Sequence, residues 1–213
     1  MSRNPSACER TCYCKKPTHE TQFVVVTGGP GAGKTAILET AKKHLCQHVA
    51  VLPEAASIVF GGGFWRLQTK SAQQAAQRAI FHVQREMETL VAADGRWALG
   101  LCDRGSLDGL AYWPEEEEKY WKDLGSGKAT ELLRYQAVIH LQTPTAAMGY
   151  NNQNVLRIET PEEARVIDDR IEKIWSAHPR YHQIPSSVDF LGKARAAIQI
   201  IEELVSECCR LPQ

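Results

Sequence analysis

Apolar positions along the chain follow two alternating patterns. Gln22–Thr27 (QFVVVT) is a short, continuous, β-branched run, as expected of a strand buried on both faces. Lys34–Cys46 then places Ile37, Leu38, Ala41 and Leu45 on one side at helical spacing. His48–Leu52 reads as a second strand, stopped by Pro53. From Ser71 to Ala93 apolar residues recur every three or four positions (Ala72, Ala76, Ala79, Ile80, Val83, Met87, Leu90), which predicts a long helix. Trp97–Cys102 and Ala137–Leu141 are the third and fourth strands, and a weaker fifth lies near His182–Pro185. Thr160–Trp175 opens with Thr-Pro-Glu-Glu, a cap followed by proline and acids in the first turn. Asp189 caps a closing helix that is expected to run to Glu207, with Cys208 and Cys209 at its end.

Strands that alternate with helices predict an α/β protein: a three-layer α/β/α sandwich around a mostly parallel five-stranded sheet, with right-handed crossovers. Such sheets bind ligands beyond the carboxyl ends of their strands. No internal repeat is visible. The 213 residues suit one domain. Residues 1–20 read as a flexible leader and 21–213 as the domain, with a lid near 150–175.

The turn after the first strand carries the strongest chemical signal. Gly28-Gly29-Pro30-Gly31-Ala32-Gly33-Lys34-Thr35 fits G-x-x-x-x-G-K-[ST], and Ala36 continues into the helix. Glycines let backbone N–H groups curl around phosphate oxygens, and the helix N-terminus adds partial positive charge. Lys34 is placed to reach the β- and γ-phosphates and the Thr35 hydroxyl to bind Mg²⁺. The sandwich is therefore read as a P-loop NTPase domain with ATP and magnesium as cofactors and GTP as the alternative nucleotide.

Two more strand ends carry acids to the same rim. Leu99-Gly100-Leu101-Cys102-Asp103-Arg104-Gly105 ends an apolar run in Asp103, a candidate for the magnesium shell or for accepting a proton from an acceptor hydroxyl. Arg104 could touch phosphates or pair with an acid. Glu54, after the second strand, could bind an acceptor hydroxyl or serve only as the acid at a helix start. Asp108, Tyr112 and Trp113 continue the Asp-Arg-Gly step toward an acceptor pocket. Gly61-Gly62-Gly63-Phe64-Trp65-Arg66 is a hinge followed by two aromatics, which could clamp a flat group; burial of the tryptophan under a loop is the plainer expectation.

Positive charge over the transferred phosphoryl group is expected from a lid. Arg157, Arg165 and Arg170 are the candidates, with Asp168, Asp169 and Glu172 available to neutralise some of them. Arg165 and Arg170 are five apart and do not share a helix face well. Glu115–Glu118 reads as a solvated acidic helix start.

Charge narrows the partners. Lys plus Arg and Asp plus Glu both number 25, so no basic excess marks a nucleic-acid binder. No apolar run reaches the ~18 residues of a spanning helix, and the polar N-terminus has no signal-peptide core. A cytoplasmic location is the default expectation. Seven cysteines, an odd number, argue against a disulfide framework. Cys8, Cys12 and Cys14 cluster with His19 nearby, but their spacing does not match paired zinc knuckles, and reduced thiols on a leader are the plainer reading. Neither H-E-x-x-H nor G-x-S-x-G occurs, so zinc protease and serine hydrolase readings have no support.

The segments VVVTGGPGAGKTAILETAKK, VLPEAA, LCDRGSLDGLAYW and LRIETPEEARVIDDRIEKIW, spanning roughly Gln22 to Val205, resemble small P-loop kinases. The likeness is strongest to the branch that includes the nicotinamide riboside kinase domain of bacterial NAD-regulator proteins and the nucleotide-binding domain of the insect translocation-defect protein, a GTP and phosphoinositide binder. This resemblance implies ATP or GTP binding with magnesium and phosphoryl transfer, with Lys34, Thr35 and Asp103 carried over by motif position. Only about twenty residues precede the first strand, so the adenylyltransferase domain of the regulator proteins is not expected.

Two functions follow. One is a kinase moving the γ-phosphoryl group of ATP to a small, nucleoside-like acceptor. The other is a nucleotide-dependent switch that engages a protein or a phosphoinositide headgroup. No N-K-x-D occurs, which disfavours an ordinary GTPase. A hexameric AAA machine ranks last, for want of room for an extra helical domain.

Overall fold

The β-branched run folds as β1 (Gln22–Thr27), buried from Phe23 onward. A computed structural model describes residues 14–143, 160–186 and 189–210. Within them β1 is followed by α1 (Lys34–His44), β2 (Val49–Leu52), α2 (Ala55–Gly61), α3 (Lys70–Asp94) and β3 (Leu99–Asp103). After a 3₁₀ turn (Asp108–Tyr112) come α4 (Glu117–Leu124), α5 (Lys128–Leu132), β4 (Ala137–Leu141), α6 (Pro161–Trp175), β5 (Tyr181–Ile184) and α7 (Phe190–Leu204). A second 3₁₀ turn spans Glu207–Cys209.

All five strands are parallel, in the order β2-β3-β1-β4-β5. Alternation along the central strands divides the core into two layers. Val24, Val26, Leu101 and Ile139 pack with α1 and α7 on one face. Phe23, Val25, Cys102 and Val138 pack on the other with Phe81 of α3, Tyr120 of α4, and Ile171 and Trp175 of α6. The expected three-layer α/β/α sandwich with a five-stranded sheet is what forms. β1 sits between β3 and β4, so the chain changes direction across the sheet at its centre and opens a crevice at the strands' carboxyl ends.

Caps fix several boundaries. Thr160 and Glu163 form a reciprocal capping box at α6, and the Asp189 side chain accepts from the Gly192 N–H at α7. The closing helix is shorter than its periodicity suggests. It ends at Leu204 because Val205 turns extended (φ −65°, ψ 136°), and Cys208 and Cys209 lie in the separate turn that follows. Among the described residues no helix is long and apolar enough to cross a membrane.

Candidate functional site

The glycine-rich turn leaves β1 through a space that admits no side chain. Gly28 has φ +137°, and a Cβ there would lie 2.2 Å from the Leu141 carbonyl oxygen. Gly33 is left-handed at the N-cap of α1, so the first N–H groups of the helix face the turn. Lys34 is buried and lies across its own loop, donating from Nζ to the carbonyls of Gly28 (2.8 Å) and Gly29 (3.0 Å). Burial, helped by the Arg104 cation, lowers its pKa to about 8 against the opposing pull of Asp103, Glu54 and Asp108. Such a lysine is held ready for an anion.

A second anchor on the turn comes from α6. The Gly29 N–H donates to Asp168 Oδ1 at 2.6 Å, and the Thr143 N–H donates to Oδ2 at 2.9 Å. His140 Nε2 lies 2.9 Å from Oδ1 and donates to it. Burial alone would raise the Asp168 pKa; the His140 contact and the two backbone N–H groups overcome it and lower it. Asp168 thus braces the phosphate loop against β4. It does not neutralise the arginines of its own helix.

The rim acids sit in two different surroundings. Asp103 ends β3, paired in register with Val26 of β1. It is 5% exposed; the Thr35 hydroxyl donates to its Oδ2 at 3.2 Å, and its Oδ1 is buried with no hydrogen-bond partner. Burial raises its pKa, with Lys34 opposing. An orphaned carboxylate oxygen beside a loop threonine suits a hydrated divalent cation such as magnesium. Glu54 follows β2 and accepts from Arg104 Nε at 2.7 Å and from Ser57 Oγ at 2.5 Å. Burial would raise its pKa, but the Arg104 and Lys34 cations hold it down at about 2. Arg104 reaches Asp108 Oδ1 as well, at 3.1 Å. Asp108 also accepts from Thr27 Oγ1 (2.5 Å), the Gly105 N–H (2.9 Å) and Trp175 Nε1 (3.0 Å), so it fixes the turn after β3.

These groups line one end of a cavity of about 260 Å³ that also takes in Pro30, Lys34 and Thr35. Beyond Glu54 it runs between α2, α3 and the first 3₁₀ turn. Phe60, Phe81 and Tyr112 line it with aromatic rings beside Ile80, and α3 contributes the amides of Gln73, Gln77 and Gln84. The α3 stripe Gln77, Phe81, Gln84, Glu88 is buried at heptad spacing. Gln84 Nε2 donates to Glu88 Oε1 at 2.8 Å. Trp65, 77% exposed, stands at the wall of the same cavity, not buried under its loop.

Of the candidates named from sequence, the structure brings together the phosphate loop (Gly28–Ala36), Glu54, Asp103, Arg104 and Asp108. Arg165 is exposed on α6 and does not line the cavity. Arg170 Nη1 donates to the Ala111 carbonyl at 3.3 Å. Arg157, and the expected lid up to residue 159, lie outside the described residues, as do Cys8 and Cys12. From Pro161 the lid region is α6, which buries Ala164, Ile171, Ile174 and Trp175 and so belongs to the body of the domain. Sequence reasoning missed the amides of α3. Their signal was present: Gln77 and Gln84 fall at heptad spacing with Phe81 and Glu88 on one side of a long helix whose other positions carry the apolar period.

A family model described as an AAA domain matches residues 23–189. No curated protein matches the chain. Deoxyadenosine kinase from M. mycoides with bound dATP is similar in structure, with TM-score 0.61 and 13% identity, covering 84% of this chain and 98% of that one. The same enzyme with products dCMP and a flexible dCDP bound gives TM-score 0.57 and 12% identity over 85% of this chain and 100% of that one. At these identities the likeness is one of fold, a P-loop kinase-like fold.

Proposed function

The chain belongs to this AAA domain family, and from that premise we propose that it is a magnesium-dependent phosphotransferase that moves the γ-phosphoryl group of ATP to a hydroxyl of a small, nucleoside-like acceptor. The observation that carries this reading is the continuity of the phosphate loop with a cavity lined in part by aromatic rings, with Glu54 lining it as well. A pure switch has no need of such a pocket.

Each part has a role. The loop N–H groups and the start of α1 hold the phosphates, and Lys34 leaves the Gly28 and Gly29 carbonyls to bind the β- and γ-oxygens. Thr35 and Asp103 would hold magnesium, which would offset the negative charge of the phosphates. Glu54 orients the acceptor hydroxyl and takes its proton as the new O–Pγ bond forms and the bond from Pγ to the β,γ-bridging oxygen breaks, with ADP leaving, and Arg104 holds Glu54 in place. The apolar walls take the faces of a base or similar ring, and Gln77 and Gln84 read its edge. The likeness to deoxyadenosine kinase supports a nucleoside as acceptor, and the resemblance to nicotinamide riboside kinase domains adds that nucleoside to the candidates.

Phosphoryl transfer from γ-labelled ATP and GTP with magnesium tests the proposal. The acceptor panel holds nucleosides, nicotinamide riboside, sugars and inositol lipids, with Lys34→Ala as blank. A labelled nucleoside, absent from the blank, supports it. Tight nucleotide binding with no acceptor labelled overturns it in favour of a switch, and a labelled inositol lipid replaces the acceptor class.

A further inference from the structure

At the opposite end of the sheet from the phosphate loop, three segments of chain meet. Cys14 and His19 precede β1, Cys46 and His48 precede β2, and Cys208 and Cys209 lie in the turn after α7. His19 Nε2 is 3.3 Å from Cys14 Sγ and 3.3 Å from Cys209 Sγ. Cys208 Sγ and Cys209 Sγ are 3.8 Å apart. The four donor atoms of Cys14, His19, Cys208 and Cys209 all fall within 4.8 Å of one another. A tetrahedral zinc ion with ordinary bond lengths sets its sulfur ligands about 3.8 Å apart and sulfur and nitrogen about 3.6 Å apart. The two sulfur–nitrogen contacts of His19 and the Cys208–Cys209 sulfur pair match those edges to within a few tenths of an ångström, and the remaining pairs lie within 4.8 Å.

We propose that Cys14, His19, Cys208 and Cys209 bind one zinc ion in a closed tetrahedral site that joins the two ends of the domain. Three thiolates and one imidazole form a soft donor set that selects zinc over magnesium or calcium. Binding releases the thiol protons and leaves no open position, so the site is structural. The partially overlapping trio Cys46, His48 and Cys209 supplies only three donors, one of them shared. It sits as an outer layer: His48 Nδ1 lies 3.5 Å from Cys209 Sγ and 3.4 Å from Cys46 Sγ. Hydrogen bonds of this kind orient thiolate ligands. The ring of His48 also packs on that of His19, centroids 4.8 Å apart.

The sequence hides this site because its ligands come from opposite ends of the chain. Cys14-x₄-His19 alone resembles no zinc motif, and the adjacent pair Cys208-Cys209 gains meaning only where α7 delivers it. A metal tie here fastens the segment before β1 to the end of α7, whose Ile201 and Leu204 are part of the core, and closes a loop of nearly the whole domain.

The test uses the full chain, free of any affinity tag, purified in reductant without chelator. Metal analysis should find about one zinc per chain, and replacement by Co²⁺ should give the intense visible absorption of a tetrahedral thiolate site. C208S/C209S should lose the zinc and the cobalt spectrum, with a lowered Tm and an ATP affinity within about two-fold of the parent, since the phosphate loop lies at the other end of β1. Cys46→Ser should keep the metal. If the double variant does not fold, chelation of the parent chain replaces it, and Tm should fall and recover when zinc is restored. A nucleotide-binding chain that carries no zinc and takes up no cobalt overturns the proposal. So does a disulfide among Cys14, Cys208 and Cys209 in place of the metal, or loss of zinc in Cys46→Ser.

Discussion

Arg104 ties the ends of β2 and β3 together by donating from Nε to Glu54 Oε1 at 2.7 Å. It does so at φ +73°, a left-handed conformation that a residue with a side chain adopts only when its surroundings hold it there. The second bond, from Nη1 to Asp108, supplies that hold, and Asp108 is itself fixed by Thr27, Gly105 and Trp175. The guanidinium fork therefore sets where the Glu54 carboxylate points. Lysine cannot bridge both acids with one planar group. Arg104→Lys should lower kcat about 10- to 100-fold, because misplacement of an orienting group is costly. ATP affinity should stay within about three-fold, and steady-state kinetics with equilibrium ATP binding separate the two.

The same pair makes stability depend on acid. The Glu54 pKa is held at about 2 against an ordinary 4.5, because Arg104 and Lys34 outweigh burial. A carboxyl whose folded pKa is depressed stabilises the fold fully above its unfolded pKa, and that contribution is lost as pH falls through the folded one. Between pH 4.5 and about 2 the parent protein should therefore lose more stability than Glu54→Gln. Urea midpoints measured across that window give the difference.

Lys34 should couple nucleotide binding to uptake of a proton. Its pKa in the free domain is about 8, pushed down from 10.5 chiefly by burial. Between those values the unfolded chain binds more protons than the folded one, so this group favours folding increasingly as pH rises. Phosphate restores the charged form. At pH about 9, ATP binding should take up close to one proton, and at pH about 6.5 this group should take up almost none. Calorimetry in buffers of different ionisation enthalpy reads the uptake, which should vanish in Lys34→Met.

Asp168 predicts a coupled loss of stability and binding. It satisfies the Gly29 and Thr143 N–H groups and His140, all in the interior. Asp168→Ala leaves those donors unpaired and should destabilise the domain by about 2–4 kcal/mol. ATP affinity should fall as well, since the loop loses its brace. Asp168→Asn, which keeps an acceptor oxygen, should fall between the two in denaturant unfolding.

Trp65 should report the acceptor. It is exposed yet borders the cavity, whereas Trp175 is fully buried in the core. Its emission should change when a nucleoside binds, and the change should be absent in Trp65→Phe. Trp65→Ala should raise the acceptor KM and leave the ATP KM unaltered.

Sheet, helices and phosphate loop could be read because each has a local signature: β-branched runs, three-and-four periodicity, and a motif in which every position has a steric or electrostatic task. β1 and β4 form with the bounds their apolar runs suggest. The short helices α2 and α5 carry too few turns to show a period. The rest of the site is long-range. Asp168 meets Gly29 across 139 positions and Arg104 meets Glu54 across 50. Such partners are set by the strand order β2-β3-β1-β4-β5, which no local pattern encodes. Glu54 and Asp103 could be placed on a common rim from sequence, but their different tasks depend on which neighbours reach them.

One measurement bears most directly on the claim that the phosphate loop and the cavity form a single reaction site. It is inhibition of the chain by a bisubstrate analogue, adenosine joined through a polyphosphate chain to a nucleoside. Competition with both ATP and the acceptor is expected, with tighter binding than ATP alone and loss of the added affinity in Trp65→Ala. Competition with ATP only, at the affinity of ATP itself, would contradict it, because the cavity would then lie beyond reach of the nucleotide's terminal phosphate.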